Sequence, residues 1–226
     1  MSAPAVAIAH TRRAFAFLLD LLYPPRCGGC DRYGEGWWCC ACNARTHWLS
    51  TRESQVALAL PSGESLVVIS AATFAPPLRE GIHRFKYESQ PQLAEAFAAP
   101  MSTIWRAGGL SADVIVPVPL HAARLRERGF NQSAMLARHV SAAVGIPVAA
   151  SALRRIRPTQ QQAHLDATAR KENVRDAFAA LPALVAGRAI MLVDDVFTTG
   201  ATLMECANVL LRAGARSVSA LTLARA

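Results

Sequence analysis

Lysine is nearly missing from this chain. Of its 24 basic residues only Lys86 and Lys171 are lysines, so the formal charge of +8 rests on arginine. The planar guanidinium fork suits phosphate and carboxylate better than a point-like ammonium does. No apolar run approaches the ~20 residues that a membrane-spanning helix needs, and no internal repeat or low-complexity tract is present. Charged residues make up only 18% against 52% hydrophobic ones, which excludes a disordered chain. Two phosphate-binding signatures are also missing, GxxxxGK[ST] and GxGxxG, which removes the common nucleotide triphosphatase and dinucleotide readings.

The N-terminal stretch MSAPAVAIAHTRRAFAFLLDLLYPPRC mimics a signal peptide, with arginines ahead of a short apolar run. Asp20 interrupts that run and no small-residue cleavage site follows. Apolar residues at 15, 17, 18, 21 and 22 predict instead a short amphipathic helix stopped by Pro24. The expectation is a cytoplasmic protein with no membrane insertion.

What the chain does have is unevenly placed. Residues 120 to 175 hold ten basic residues against three acidic ones, a net +7 of the total +8. An Ala- and Arg-rich composition also arises in GC-rich genomes, but a local basic region points to a polyanion or a phosphorylated ligand. Five of the six cysteines lie between 27 and 42. Cys27-x-x-Cys30 and Cys39-x-x-Cys42 offer four thiolates, the count for a closed tetrahedral zinc site whose binding energy would fold a segment too small for its own core. A cytoplasmic setting argues against structural disulfides. Cys40 leaves the assignment ambiguous, because CCAC offers three thiols for two positions, and His47 is a weaker substitute. Trp37 and Trp38 suit packing on this knuckle or stacking on single-stranded bases. Cys206 falls mid-helix, as a core residue does.

Two regions follow: residues 1–60, an N-terminal helix and cysteine module, and residues 61–226, a single α/β domain. In the second, strands are expected over 66–74, 113–119, 146–150, 189–195 and from 217 to the end. Helices are expected over 76–89, 93–108, 131–145 with Asn131 as N-cap, and 201–215. The apolar runs are continuous rather than alternating, which suits a mainly parallel sheet covered on both faces.

The segment IMLVDDVFTTGAT (190–202) sits at the carboxyl end of such a strand, where open α/β sheets bind ligands. The free first-turn amides of the next helix, backed by its dipole, favour an anion. Gly200 lets the backbone approach, and the threonine hydroxyls add donors. Asp194 and Asp195 cannot serve a phosphate, but they accept from hydroxyls or hold a divalent cation. A sugar phosphate satisfies both halves.

VDDVFTTGAT resembles the 5-phosphoribosyl 1-pyrophosphate (PRPP) signature of type I phosphoribosyltransferases. VPVPLHAARLRERGFNQS (116–133), the segment from Arg155 to Phe178, IHRFKY (82–87) and the cysteine module resemble the ComF branch of that family. The resemblance implies a type I phosphoribosyltransferase fold with a small N-terminal zinc ribbon. It implies PRPP, or a related sugar phosphate, with Mg2+ at Val193, Asp194, Asp195, Val196, Phe197, Thr198, Thr199, Gly200, Ala201 and Thr202. Asp194 and Asp195, the catalytic candidates, would meet the ribose hydroxyls, and Phe197 to Thr202 the 5′-phosphate. His121, Arg124 and Arg128 would hold pyrophosphate, whereas Lys86 reads equally as a phosphate ligand or a surface lysine. The reaction would displace pyrophosphate at C1 through an oxocarbenium-like transition state. His83, His121, His139 and His164 read as structural or solvent-facing, so no general base is assigned. Gln160 to Gln162, Arg170, Lys171 and Asn173 lie in a long loop of the kind that covers active sites. The resemblance further implies a role in DNA uptake beside a competence helicase. A non-catalytic adaptor that binds single-stranded DNA or senses PRPP is the alternative.

Overall fold

A computed structural model describes residues 24–88, 90–158 and 172–226. The N-terminal amphipathic segment, His164, Gln160 to Gln162, Arg170 and Lys171 lie outside those residues. The elements in chain order are α1 (Cys40–Arg45), α2 (Thr51–Ser54), β1 (Gln55–Ala59), β2 (Ser65–Thr73), α3 (Leu78–Tyr87), α4 (Leu93–Ala107), β3 (Val114–Pro117) and α5 (Ala122–Arg128). Then come α6 (Gln132–Val144), β4 (Leu153–Arg155), β5 (Phe178–Ala180), α7 (Pro182–Val185), β6 (Ala189–Phe197), α8 (Ala201–Arg212) and β7 (Ser217–Arg225).

The main sheet has the order β1-β2-β7-β6-β3. β2, β7, β6 and β3 run parallel, and only the edge strand β1 is antiparallel. Strand residues alternate between faces, and here both faces are apolar. Ile190 and Leu192 of β6, with Val218 and Ala220 of β7, join the core under α8 and β5. Their neighbours Met191, Val193, Leu221 and Leu223 join the second core, built with α3, α4 and α6. That double burial explains the unbroken apolar runs of these strands, as a covered parallel sheet requires.

The structure differs from the sequence reading in four places. Residues 146–150 make a single parallel bridge, Val148 to Ile115, rather than a strand. Gln55–Ala59, just before the region boundary placed after residue 60, forms β1 and pairs with β2 from Gln55↔Ile69 to Ala59↔Ser65. As an edge strand it buries only Val56 and Leu58, and only in part, so its apolar signal is weak. The cysteine segment, which has no helical period, nonetheless forms α1, with Cys39 as N-cap accepting from the Cys42 amide. Arg154 and Arg155, which the sequence reading placed in a basic, polar loop from about 154 to 175, form β4 with Leu153, and it pairs antiparallel with β5.

Candidate active site

β6 carries its two acids to the carboxyl edge of the sheet, between β3 and β7. Asp194 Oδ1 accepts from the Ser133 hydroxyl at 2.9 Å and from the Asp195 amide at 2.9 Å. Asp195 is 8% exposed, and its Oδ1 lies 2.8 Å from Lys86 Nζ. Burial, reinforced by the Asp195 charge, pushes the Asp194 carboxyl up to about 7, while Lys86, the Asp195 amide and Ser133 oppose the shift. Two adjacent carboxylates thus share a site where one readily keeps its proton.

The chain then turns through Thr198 and Thr199 into α8. Gly200 is in the left-handed region at φ 76°, and a Cβ there would lie 2.7 Å from Leu58 Cδ1 and 3.0 Å from Phe197 Cε2. The turn therefore demands glycine on conformational and steric grounds. α8 has no side-chain N-cap, which leaves its first-turn amides directed at the turn. The Thr199 hydroxyl is buried and has no partner among the described residues.

Asp194, Asp195 and the turn line a cleft of about 590 Å3. Lys86, His121, Arg124 and Arg128, singled out from the sequence, line it too, as do Val196, Phe197, Thr198, Gly200, Ala201 and Thr202. Val193 does not reach it: this side chain is fully buried in the core beneath, and the sequence cannot tell the last core residue from the first site residue. Thr199 also stays off the cleft wall. His121 has a structural duty as well, since its Nδ1 caps α5 by accepting from Ala123 N at 3.3 Å.

The cleft includes residues to which the sequence reading gave no ligand role. Arg79, Ile82, His83 and Tyr87 join Lys86 in lining it from α3, at the three- and four-residue spacing that puts side chains on one helix face. That periodicity is the signal that finds them. Gln132 and Ser133 enter from the first turn of α6, fixed by Asn131, whose Oδ1 accepts from Ser133 N at 3.0 Å and whose Nδ2 donates to Val118 O at 3.1 Å. Arg155 enters from β4, largely desolvated and 5.3 Å over the Phe178 ring. Across the mouth, the Arg128 guanidinium sits 4.6 Å over the Tyr87 ring and ties α5 to α3. Five cations, Arg79, Lys86, Arg124, Arg128 and Arg155, thus face two carboxylates, a charge balance suited to a polyanion bearing hydroxyls.

Behind α3 lies the cysteine module. The ligand atoms of Cys27, Cys30, Cys39 and Cys42 all lie within 4.8 Å of one another, with Cys30 and Cys39 sulfurs 3.6 Å apart. A tetrahedral site with Zn–S near 2.3 Å has S···S separations of about 3.8 Å, so the four fit a metal ion. Cys40 is exposed and lies outside this cluster of four. Backbone hydrogen bonding, first from Arg32, lowers the Cys30 thiol to about 6, while burial raises Cys42. Trp38 packs edge-on against Phe97 with centroids 5.2 Å apart. It also lies so close to α3 that a Cβ on Gly81 would meet its ring at 2.6 Å. Arg84 of α3 donates to the carbonyls of Cys27 and Gly28 at 3.0 and 3.3 Å, and pairs with Asp31 at 2.8 Å.

The sequence profile of the phosphoribosyl transferase domain matches residues 86–226. The DNA utilization protein YhgH of Salmonella typhimurium is 37% identical over 163 residues, 70% of this chain and 71% of that one. Competence protein F of Haemophilus influenzae is 29% identical over 208 residues, covering 88% of this chain and 90% of its own. Competence protein ComFC of Bacillus subtilis is 32% identical over 158 residues, 69% of this chain and 63% of that one.

Proposed function

Since this chain belongs to the phosphoribosyltransferase family, in its ComF branch, we propose that its cleft binds PRPP and transfers the phosphoribosyl group. The observation that carries the proposal is the division of the cleft. Asp194 and Asp195 line the cleft together with the Thr/Gly turn and the start of α8, and Arg124 and Arg128 bring positive charge to it from α5. The carboxylates take the ribose 2′ and 3′ hydroxyls. The turn from Phe197 to Thr202 takes the 5′-phosphate. Arg124, Arg128 and His121 hold the diphosphate, and Lys86 orients Asp195 across their ion pair.

Charge builds on the leaving diphosphate while the ribose gains oxocarbenium character. Arginines already in place stabilise the first, and carboxylates beside the ribose favour the second, without reorganisation during the reaction. Two carboxylates, one engaged by Lys86 and one by Ser133, make no all-protein cage for Mg2+. They suit a cation that arrives on the diphosphate, where it would neutralise the leaving group. Zinc is the proposed metal of the four-cysteine site, with a structural role behind α3. The names of the relatives speak of competence and DNA utilization, and on that basis we assign the chain a role in handling DNA.

Turnover of radiolabelled PRPP against a panel of bases and cell extract tests the transfer. Pyrophosphate released in step with a labelled product is the expected result. Binding of PRPP with no release under any condition would overturn transfer and leave a sugar-phosphate sensor.

A further inference from the structure

Gln132 is the first residue of α6 and is 1% exposed, yet it is one of the residues that form the cleft wall. Its Nε2 is buried and has no hydrogen-bond partner among the described residues. The two neighbours that flank it are fully engaged: Asn131 caps the helix, and Ser133 donates to Asp194. A buried amide donor left unpaired is destabilising, because folding strips its water and returns no bond. Leu or Met would fill the same space at no such cost. We propose that Gln132 is a ligand-binding residue, whose amide donates to an acceptor oxygen of the sugar diphosphate held in the cleft. This rests on the sugar-phosphate reading above and extends it with a contact that neither the acidic pair nor the phosphate turn supplies.

The placement identifies the chemistry. Gln132 follows the arginine-bearing α5 by one tight turn through Gly129, and it precedes the serine that holds Asp194. It therefore stands where the diphosphate side of the cleft meets the ribose side. A neutral donor there serves either a phosphate oxygen or a ribose oxygen, and both are acceptors.

Gln132→Met keeps the volume and removes the donor. Thermal unfolding of the ligand-free variant is expected to match the wild type or to lie above it, because the orphaned donor is gone. Calorimetry with Mg2+ and PRPP is expected to show affinity reduced about 5- to 30-fold. Inorganic pyrophosphate and ribose 5-phosphate are titrated separately, and weakening of one alone identifies the end that Gln132 contacts. A variant markedly less stable than the wild type would assign Gln132 a structural bond and overturn the inference. So would unchanged affinity for all three ligands when the wild type binds PRPP. A wild type that binds none of them contradicts the sugar-phosphate reading itself, and the inference falls with it.

Discussion

Lys86 Nζ lies 2.8 Å from Asp195 Oδ1, and two residues earlier on the same helix Arg84 Nη1 lies 3.0 Å from the Cys27 carbonyl. One face of α3 thus completes the acidic edge of the cleft, and the other clasps the cysteine module. Removing the ammonium strands a carboxylate that is 8% exposed. Lys86→Met should therefore lower stability by about 1–3 kcal/mol, less than for a fully buried pair because Lys86 keeps some solvent contact. Lys86→Met combined with Asp195→Asn should recover most of that loss. Denaturant unfolding of the four proteins in a double-mutant cycle measures it, and additive effects would show that the pair is not coupled.

The same geometry predicts what metal removal does. Elemental analysis should find one zinc per chain in the wild type and in Cys40→Ser, whose parent thiol is exposed. Cys30→Ser should lose it. Without the metal, the carbonyls of Cys27 and Gly28 no longer meet Arg84, and Trp38 loses its seat on Gly81. Tryptophan emission should shift to the red and the unfolding temperature should drop. A chelated protein with unchanged emission and stability would separate the module from α3.

Asp194 gives stability a pH dependence of unusual sign. Its carboxyl titrates near 7 when folded, above the roughly 3.9 of an unfolded aspartate. The folded chain then holds one more proton than the unfolded chain between those values, so this group's contribution falls as pH rises from about 4 through 7. Asp194→Asn should flatten that slope and raise the unfolding temperature at pH 8, where the buried Asp194 carboxyl is ionised. Each kcal/mol corresponds to roughly 2–4 °C in a chain of this size. Thermal scans between pH 5 and 8 on both proteins test this, and parallel curves would contradict it.

Much of this arrangement can be read from the residues. The buried strands announce themselves because both faces need apolar side chains, and VDDVFTTGAT marks the edge where one of them enters the cleft. Asn131 is legible as a cap because its side chain needs only local geometry. The missing parts depend on tertiary partners. β1 has little apolar content because one neighbour and partial cover suffice for an edge strand. The part of Arg79 and His83, beside Lys86 on α3, is hidden because the same helix buries Leu78, Ile82 and Phe85, so its charged side resembles an ordinary solvated face. Gln132 has no sequence signature, since an amide reads as polar surface until its burial is known.

The arginines of α5 divide between two uses. Arg124 and Arg128 line the cleft and Arg126 does not. Arg126→Ala should leave PRPP affinity unchanged, whereas Arg124→Ala or Arg128→Ala should weaken it about tenfold. If α5 also tracks single-stranded DNA, each loss should lower the slope of log affinity against log salt by roughly 0.7. Filter binding across a salt series reads this directly, and a slope insensitive to all three changes would place DNA elsewhere.

The central claim is that the acidic pair and the turn beside it hold a ribose phosphate. Isothermal titration of Mg2+ and PRPP into the wild type and into the Asp194→Ala, Asp195→Ala double variant tests it most directly. Two charge-assisted hydrogen bonds at roughly 1.5–3 kcal/mol each predict at least a 100-fold loss of affinity. Equal affinity in a folded double variant would contradict the account.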